Sequence, residues 1–120
     1  MENRGLKHHR ERLGEALREE IAILIEGELG DPRIGLVNVS EVHLSEDGKT
    51  ARVVVSVAGS EDEARQSLAG LEAARGYIRH ELSSRLALRH APEIFFVLDR
   101  SEQHAGRVEE LLQRIHKRQR

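Results

Sequence analysis

The chain has 120 residues, a formal net charge of −2 at pH 7 and no cysteine. A chain of this length suits one compact domain and is short for two. Without cysteine it cannot form disulfides, cysteine-held iron–sulfur clusters or thiolate zinc sites. It contains no run of about 18 apolar residues, and its first residues lack the apolar segment of a signal peptide. We therefore expect a soluble, cytoplasmic protein that does not enter a membrane.

Basic residues are concentrated at the two ends of the chain. Residues 1–12 carry a net charge of +2 and residues 114–120 carry +4, so the remaining 101 residues sum to −8. This asymmetry is compatible with nucleic-acid binding through a basic end or face, although it does not require it.

The first half of the sequence predicts one helix followed by a hairpin. Apolar residues recur at three- and four-residue steps from Leu13 to Leu29, and Gly30 and Pro32 end this helix. The next stretch, IGLVNVSEVHLS, changes the parity of its apolar residues between Val39 and Val42, which predicts a strand with a β-bulge. The sequence SEDGK then predicts a hairpin turn, and TARVVVSV predicts a second strand with one apolar face.

The second half predicts an interrupted helix pair, a third strand and a last helix. Ser60 and Glu63 form a capping box that starts the first of these helices. Its apolar stripe ends before Gly76, and a new stripe begins beyond it; the two stripes are Ala64, Leu68 and Leu71, and then Ile78, Leu82 and Leu86. The segment APEIFFVLD predicts the third strand. A last helix is predicted after Ser101, with four apolar residues on one face: Val108, Leu111, Leu112 and Ile115. This order predicts an α+β domain with a small sheet covered by helices.

The interruption in AARGYIRHEL is the candidate functional site. A glycine inside a helix costs about 1 kcal/mol relative to alanine, and Gly76 is flanked by Arg75 and Arg79 at helical spacing. A break here would expose backbone N–H groups at the start of a helix, and such groups bind phosphate together with arginines. Gly76 would then either adopt a conformation that a β-carbon disfavours or let RNA backbone come close. The alternatives are an ordinary cap glycine and an ordinary interior helix residue that has no role in binding.

Other residues near the break are less distinctive. Tyr77 is expected in the core, and with two further aromatic residues in the chain a base-stacking sheet is not expected. RNA contact would therefore be mainly to phosphate and sugar. Arg85 and Arg89 are placed at the end of the second helix of the pair, where the helix dipole favours cations even without a ligand.

The sequence contains no catalytic or metal-binding motif. HELSS at 80–84 lacks the second histidine of the helical zinc motif, because Ser84 stands in that position. His8 and His9 are adjacent, and neighbouring helical residues point about 100° apart, so they cannot easily share a metal. GELG at 27–30 matches the spelling of the GxxG loop of KH domains, but it precedes the first strand and is assigned to a helix end. We expect no cofactor, no metal and no small-molecule substrate.

The whole pattern resembles the bacterial ribosome-binding factor A family. The matching segments cover nearly the whole chain: GDPRIGLVNV, LSEDGKTARVVVSV, LEAARGYIRHELSSRLALRHAPEIFF and LDRSEQHAGRVEELLQRI. The resemblance implies one KH-like domain over residues 1–120, with the type II order of elements and basic ends (1–12 and 114–120) that need not pack on it. It also implies a helix–kink–helix at Ala74-Arg75-Gly76, which replaces the GxxG loop. Members of the family are often more basic than this chain.

The resemblance implies a ribosome assembly factor rather than an enzyme. Such a factor binds the precursor of the small ribosomal subunit and assists late maturation and 5′-end processing of its ribosomal RNA, including during cold adaptation. The expected partners are the small subunit and its RNA, and the expected state is a monomer. The candidate RNA-binding residues are Ala74, Arg75, Gly76, Arg79, Arg85 and Arg89. Two alternatives remain: a generic KH-type RNA-binding protein, which would bind free oligonucleotides, and an enzyme that uses the histidines, which would give a metal-binding signal.

Overall fold

The computed structural model describes the backbone of residues 4–99 and their side chains except those of residues 4, 6 and 7. Helix α1 (Arg4–Ile23) runs into a π-helical turn (Leu24–Glu28) and is followed by strands β1 (Val37–Leu44) and β2 (Thr50–Val57). Helices α2 (Glu61–Ala73) and α3 (Arg75–Arg85) precede strand β3 (Glu93–Leu98). The predicted α+β architecture is confirmed. The predicted helix after Ser101 lies outside the described residues.

The three strands form one mixed sheet in the order β1-β2-β3. β1 and β2 are antiparallel, and β2 and β3 are parallel. The predicted bulge lies at Ser40, between the pairs Val39–Val55 and Glu41–Val54. Because the bulge adds one residue to β1, apolar residues on both sides of it face the core although their parity differs.

The predicted hairpin turn is also confirmed. Gly48 has a φ of +72°, a backbone conformation that favours glycine. Its N–H donates to the Ser45 carbonyl at 2.9 Å, and the Asp47 carboxylate accepts from the Lys49 N–H at 3.0 Å.

One face of the sheet carries the core. Helices α1, α2 and α3 pack on this face. Each large apolar side chain buried there stabilises the fold by about 1.5–3 kcal/mol relative to an exposed one. The core residues with no exposure include Leu17, Ile21, Leu24, Val53, Val55, Leu71, Ile78, Leu82 and Ile94. No helix in the described part of the chain is both long and apolar enough to cross a membrane.

The end of the first helix differs from the prediction. The helix continues to the expected region, but its last five residues form a π-helical turn, closed by a hydrogen bond of 3.1 Å from the Leu29 N–H to the Leu24 carbonyl. Apolar spacing does not distinguish an α-turn from a single π-turn, so the sequence did not indicate this feature.

The loop between the π-helical turn and β1 is attached to α2 by two small residues. The buried Ser67 hydroxyl accepts from the Gly35 N–H at 3.0 Å and donates to the Arg33 carbonyl at 3.4 Å. Gly70 lies against Ile34 so closely that a β-carbon built on it would be 2.6 Å from the Ile34 Cγ1. The loop therefore approaches α2 so closely that a residue larger than glycine at position 70 would force Ile34 to shift.

Candidate nucleic-acid interface

The predicted interruption of the helix pair is present, and it lies at Ala74. α2 begins with the predicted capping box of Ser60 and Glu63 and ends at Ala73. Ala74 has φ −87° and ψ −1°, and its N–H donates to the carbonyls of Gly70 and Leu71 at 3.1 Å. The hydrogen bonds of α3 start again with the Ile78 N–H and the Ala74 carbonyl at 2.9 Å. The helix–kink–helix is thus confirmed, with its break two residues before the glycine.

Gly76 does not make the break by its own backbone. It lies inside α3, and it is not among the residues with positive φ, which in the described chain are Gly48, Gly59 and Ala87. A β-carbon built on Gly76 would meet nothing within 4 Å among the described residues outside its local helix. It is not a cap glycine either, since Ala74 caps α2. Of the explanations that the sequence allowed, a required left-handed conformation is wrong. An ordinary interior helix residue agrees with the position of Gly76 in α3, and close approach of a ligand stays a prediction.

Arg75 and Arg79 lie together along the chain segment that leads into β3. Arg75 Nη1 donates to the Ile94 carbonyl at 3.4 Å, and Arg79 Nη2 donates to the Ala91 carbonyl at 3.1 Å. Arg75 also forms an ion pair with Glu72 at 3.5 Å, and 39% of its side chain is exposed. Both guanidinium groups therefore tie α3 to the segment 91–94, and each keeps donors beyond the one used for its carbonyl.

A groove lies on the other side of Ala74, next to the loop that precedes β1. It has a volume of about 280 Å³ and is lined by Glu28, Leu29, Gly30, Asp31, Ala74 and Tyr77. Tyr77 is 48% exposed, so its expected core position is wrong. The apolar stripe of the helix already indicated that Tyr77 is exposed. Tyr77 is next to the buried Ile78, and neighbouring helical side chains point about 100° apart. The two carboxylates of the groove make this side unfavourable for phosphate.

Asp31 and Arg33 form a closed pair at the edge of this groove. The Asp31 carboxylate accepts from the Arg33 side chain at 2.7–3.2 Å and from the Arg33 N–H at 2.9 Å. The hydrogen bonds from the Arg33 side chain, followed by that from its backbone, hold the pKa of Asp31 below its usual value. The pair fixes the shape of the loop that faces the break.

Arg85 lies among three carboxylates. Its guanidinium group is 2.5 Å from Glu28, 3.3 Å from Glu81 and 3.5 Å from Glu20. The hydrogen bond with Glu28 is the largest cause that raises the pKa of Arg85 above its usual value. Arg85 joins α1, the π-helical turn and α3, and its surroundings repel phosphate. These contacts favour a structural role, and the expected RNA contact of Arg85 stays a prediction.

Arg89 lies in the loop between α3 and β3, and its placement on the second helix is wrong. α3 ends at Arg85, and Ala87 adopts a positive φ of 52°. The Leu88 N–H then donates to the Ser83 carbonyl at 2.9 Å, which is the 6→1 hydrogen bond of a Schellman motif. The sequence did not indicate this helix end, because Ala87 occupies the position after the helix where glycine is usual. Arg89 is exposed, two residues before the Ala91 carbonyl that Arg79 contacts.

The remaining candidates do not form a site in the described part of the chain. Among residues 4–99, no group of three or more histidine, aspartate, glutamate or cysteine side chains is placed to hold a metal. The GELG segment belongs to the π-helical turn and the residues after it, as expected for a helix end. The basic end at 114–120 lies outside the described residues.

Comparisons with known proteins agree with the resemblance seen in the sequence. The family model described as ribosome-binding factor A matches residues 9–112. Ribosome-binding factor A of Koribacter versatilis is 65% identical over 118 residues, which are 98% of this chain and 96% of the relative. The protein of the same name from Brevibacillus brevis is 42% identical over 104 residues, with 87% of this chain and 86% of the relative covered.

Solved structures show the same fold. The crystal structure of ribosome-binding factor A from Thermus thermophilus superimposes with a TM-score of 0.68 at 29% identity, covering 77% of this chain and 97% of that one. A homology model of the Thermus thermophilus protein, fitted into a cryo-EM map of a 30S–RbfA complex, gives a TM-score of 0.57 at 32% identity, covering 78% of this chain and 94% of that one. The chain belongs to the ribosome-binding factor A family.

Proposed function

We propose that this protein is an assembly factor of the small ribosomal subunit, which it binds through ribosomal RNA in the cytoplasm. The observation that carries the proposal is its membership of the ribosome-binding factor A family, together with the fitted placement of a similar protein in a 30S complex. In this function the protein acts by binding and not by catalysis, as a single domain over residues 1–120. The finer role is to assist late maturation and 5′-end processing of the RNA, including in the cold.

The surface proposed to meet the RNA is the start of α3 together with the segment it contacts. It consists of Ala74, Arg75, Gly76 and Arg79, with Arg89 nearby in the chain. At the first turn of a helix the N–H groups lack the partners that they have in the helix interior, and the dipole there favours an anion. Arg75 and Arg79 add positive charge, and their bonds to carbonyls hold them in place. The open space above Gly76 allows an RNA backbone to come close.

Sedimentation of cell extract through a gradient tests the partner. We expect the protein to travel with immature small subunits, and to be released as salt is raised, because phosphate contacts release counterions. Cells that lack the protein should accumulate small-subunit RNA with an unprocessed 5′ end, most strongly at low temperature. A protein that stays at the top of the gradient in low salt, with normal 5′ ends in the deleted strain, contradicts the proposal.

A pair of matched variants tests the surface. Arg75→Gln/Arg79→Gln keeps hydrogen-bond donors for the two carbonyls, whereas charge reversal would place carboxylates against them and disturb the fold. The control, Arg52→Gln/Arg65→Gln, removes the same charge from exposed positions on β2 and α2. The first variant should bind small subunits more weakly, with the slope of log K against log salt reduced by about 1 for each phosphate that it no longer neutralises. Equally weakened binding in both variants would indicate that the overall positive charge of the protein attracts the RNA, and not this surface in particular.

The two alternatives predict other results. A generic RNA-binding protein would bind free oligonucleotides as tightly as it binds subunits. An enzyme that uses the histidines would bind a divalent metal in the isolated protein. For Arg85, the contacts in the structure predict that Arg85→Gln lowers the denaturation midpoint, whereas an RNA contact predicts loss of subunit binding in a variant that remains folded.

A further inference from the structure

Each of the two carboxylates in the groove beside the break already has an arginine partner. Glu28 Oε2 accepts from Arg85 at 2.5 Å, and the Asp31 carboxylate accepts from Arg33 at 2.7 Å. The two pairs leave the groove with little net charge, so it attracts a further cation only weakly. Because ionised carboxylates accept hydrogen bonds and cannot donate them, the groove suits a neutral group that carries N–H donors.

Glu28 has an acceptor oxygen that the fold does not use. The Asp31 carboxylate accepts four hydrogen bonds from Arg33. The hydrogen bond of Glu28 involves Oε2, whereas its Oε1 accepts none from the described part of the chain. The Glu28 side chain is also 39% exposed. Glu28 Oε1 is therefore the atom of the groove that is placed to accept a hydrogen bond from a bound group.

The walls of the groove are apolar and include an exposed aromatic ring. Leu29, Ala74 and Tyr77 line it, and Tyr77 is 48% exposed. The volume of about 280 Å³ is close to the lower end of small-molecule sites, which begins at about 300 Å³. Proteins commonly hold the bases of single-stranded RNA by stacking them on aromatic side chains. The groove therefore has the size and the aromatic wall for one planar group.

Gly76 connects this groove with the arginine side of the break. Helical side chains follow one another at about 100° per residue, so position 76 lies about 60° from Arg79 and about 100° from Tyr77 around α3. Ile78 and Leu82 point to the opposite side of the helix, into the core. Since the space above Gly76 is open, a bound chain can cross it from the arginines to Tyr77.

We propose that the groove holds one nucleobase of the RNA, stacked on Tyr77 with its N–H donors directed to Glu28 Oε1. The sugar crosses Gly76, and the phosphate lies at Arg75 and Arg79. A nucleotide combines an anionic group with a neutral, planar, donor-bearing one, and the two sides of the break accept these two parts. The inference rests on the proposed binding of ribosomal RNA, to which it adds contact with a base.

The ring of Tyr77 can be observed directly, because the chain contains a single tyrosine. In the full chain with isotope-labelled tyrosine, NMR follows the ring signals while GMP, AMP or ribose 5-phosphate is added. GMP should shift the signals most, since guanine carries an imino and an amino donor side by side. AMP should shift them less, since adenine offers its amino donor alone. Ribose 5-phosphate has no base and should leave them in place.

Three results of this titration would overturn the proposal. Equal shifts with GMP and ribose 5-phosphate would show that the groove does not recognise a base. Equal shifts with GMP and AMP would contradict the hydrogen bond to Glu28. Larger shifts with N-acetyl-arginine amide than with GMP would assign the groove to a cationic side chain of a protein partner.

Variants of the full chain measure what the base contact adds to subunit binding. Tyr77→Leu removes the ring and should weaken binding to immature small subunits about tenfold, without changing the salt dependence, because no phosphate contact is lost. Tyr77→Phe keeps the ring and should retain most of the affinity. The control, Phe95→Leu, makes a similar change at an aromatic residue that is 45% exposed on β3, and should bind as the natural protein does.

These measurements separate the base contact from the proposed function. If the natural protein does not sediment with small subunits, the proposed function itself fails. If the natural protein and Tyr77→Leu bind equally well while Arg75→Gln/Arg79→Gln binds weakly, the base contact alone is wrong. The titration with GMP uses the natural chain, so it decides the question even if Tyr77→Leu does not fold.

Discussion

Gly70 and Gly76 lie in consecutive helices, yet their surroundings have little in common. Around Gly70 the loop before β1 presses on α2, and an added β-carbon would be 2.6 Å from one Ile34 carbon and 3.3 Å from another. Around Gly76 the start of α3 is open, and an added β-carbon would contact nothing outside its helix among the described residues. The fold explains the first glycine. The fold does not require the second, which is either an ordinary interior helix residue or a point where a ligand comes close.

The largest expected effect on stability is at Gly70. Gly70→Ala should destabilise the protein by about 1–2 kcal/mol, because the overlap with Ile34 outweighs the gain in helix propensity. Urea denaturation measures this change. In an Ile34→Ala background the clash is absent, so the same substitution should be neutral or stabilising. If Gly70→Ala stabilises the natural chain, the loop does not press on α2 as described.

The second bond between this loop and α2 should have a smaller effect. Ser67→Ala removes the hydroxyl that serves both the Gly35 N–H and the Arg33 carbonyl, and should cost about 1 kcal/mol. Ser84→Ala, at an exposed position of α3, is the matched control and should change the unfolding free energy little. Similar destabilisation in both variants would remove the special role of Ser67.

Acid should weaken the Asp31–Arg33 pair of the same loop. The pKa of Asp31 is lower in the folded protein than usual, so the pair stabilises the fold above the usual aspartate pKa, and this contribution is lost as the pH falls through the lowered value. Arg33 is exposed and Asp31 is partly exposed, so solvent screens the effect and it is the smallest one expected on stability. NMR titration should give a lower midpoint for Asp31 in the natural chain than in Arg33→Gln. Identical midpoints would contradict the pairing.

Local patterns in the sequence predicted most of the fold. The parity change around Ser40 located the bulge, Ser60 and Glu63 located the start of α2, and the two apolar stripes located the interruption between α2 and α3. Each of these features depends on residues close together in the chain. This is the range over which periodicity and capping rules apply.

Contacts between distant residues could not be predicted in this way. Gly70 meets Ile34, Ser67 meets Gly35, and the partners of Arg85 come from α1, the π-helical turn and α3 itself. The dipole at the end of α3 already explained a cation such as Arg85 at that position. Nothing in the sequence showed that carboxylates from other elements would lie next to it. Long-range packing also decided that both arginines beside the break reach the segment 91–94.

The site itself was located by sequence and changed in detail by the structure. The glycine that drew attention to the interruption does not create it, because Ala74 carries the change in hydrogen bonding. The position of the interruption was predictable to within a few residues, whereas the backbone conformation of each residue in it was not. Two explanations remain for Gly76, contact with RNA and an ordinary interior helix position without a role in binding, and one substitution separates them.

Gly76→Ala, compared with Gly14→Ala, is the most direct test of the proposed RNA contact. Gly14 is also helical and also open to an added β-carbon, and it lies in α1, away from the break. Both variants should be more stable than the natural protein by about 0.5–1 kcal/mol in urea denaturation, through helix propensity and a less flexible unfolded chain. Only Gly76→Ala should bind immature small subunits more weakly, by about tenfold, because its methyl group keeps the RNA backbone away. Equal and undiminished binding by the two variants would contradict the account, since the start of α3 would then not be where the RNA comes close.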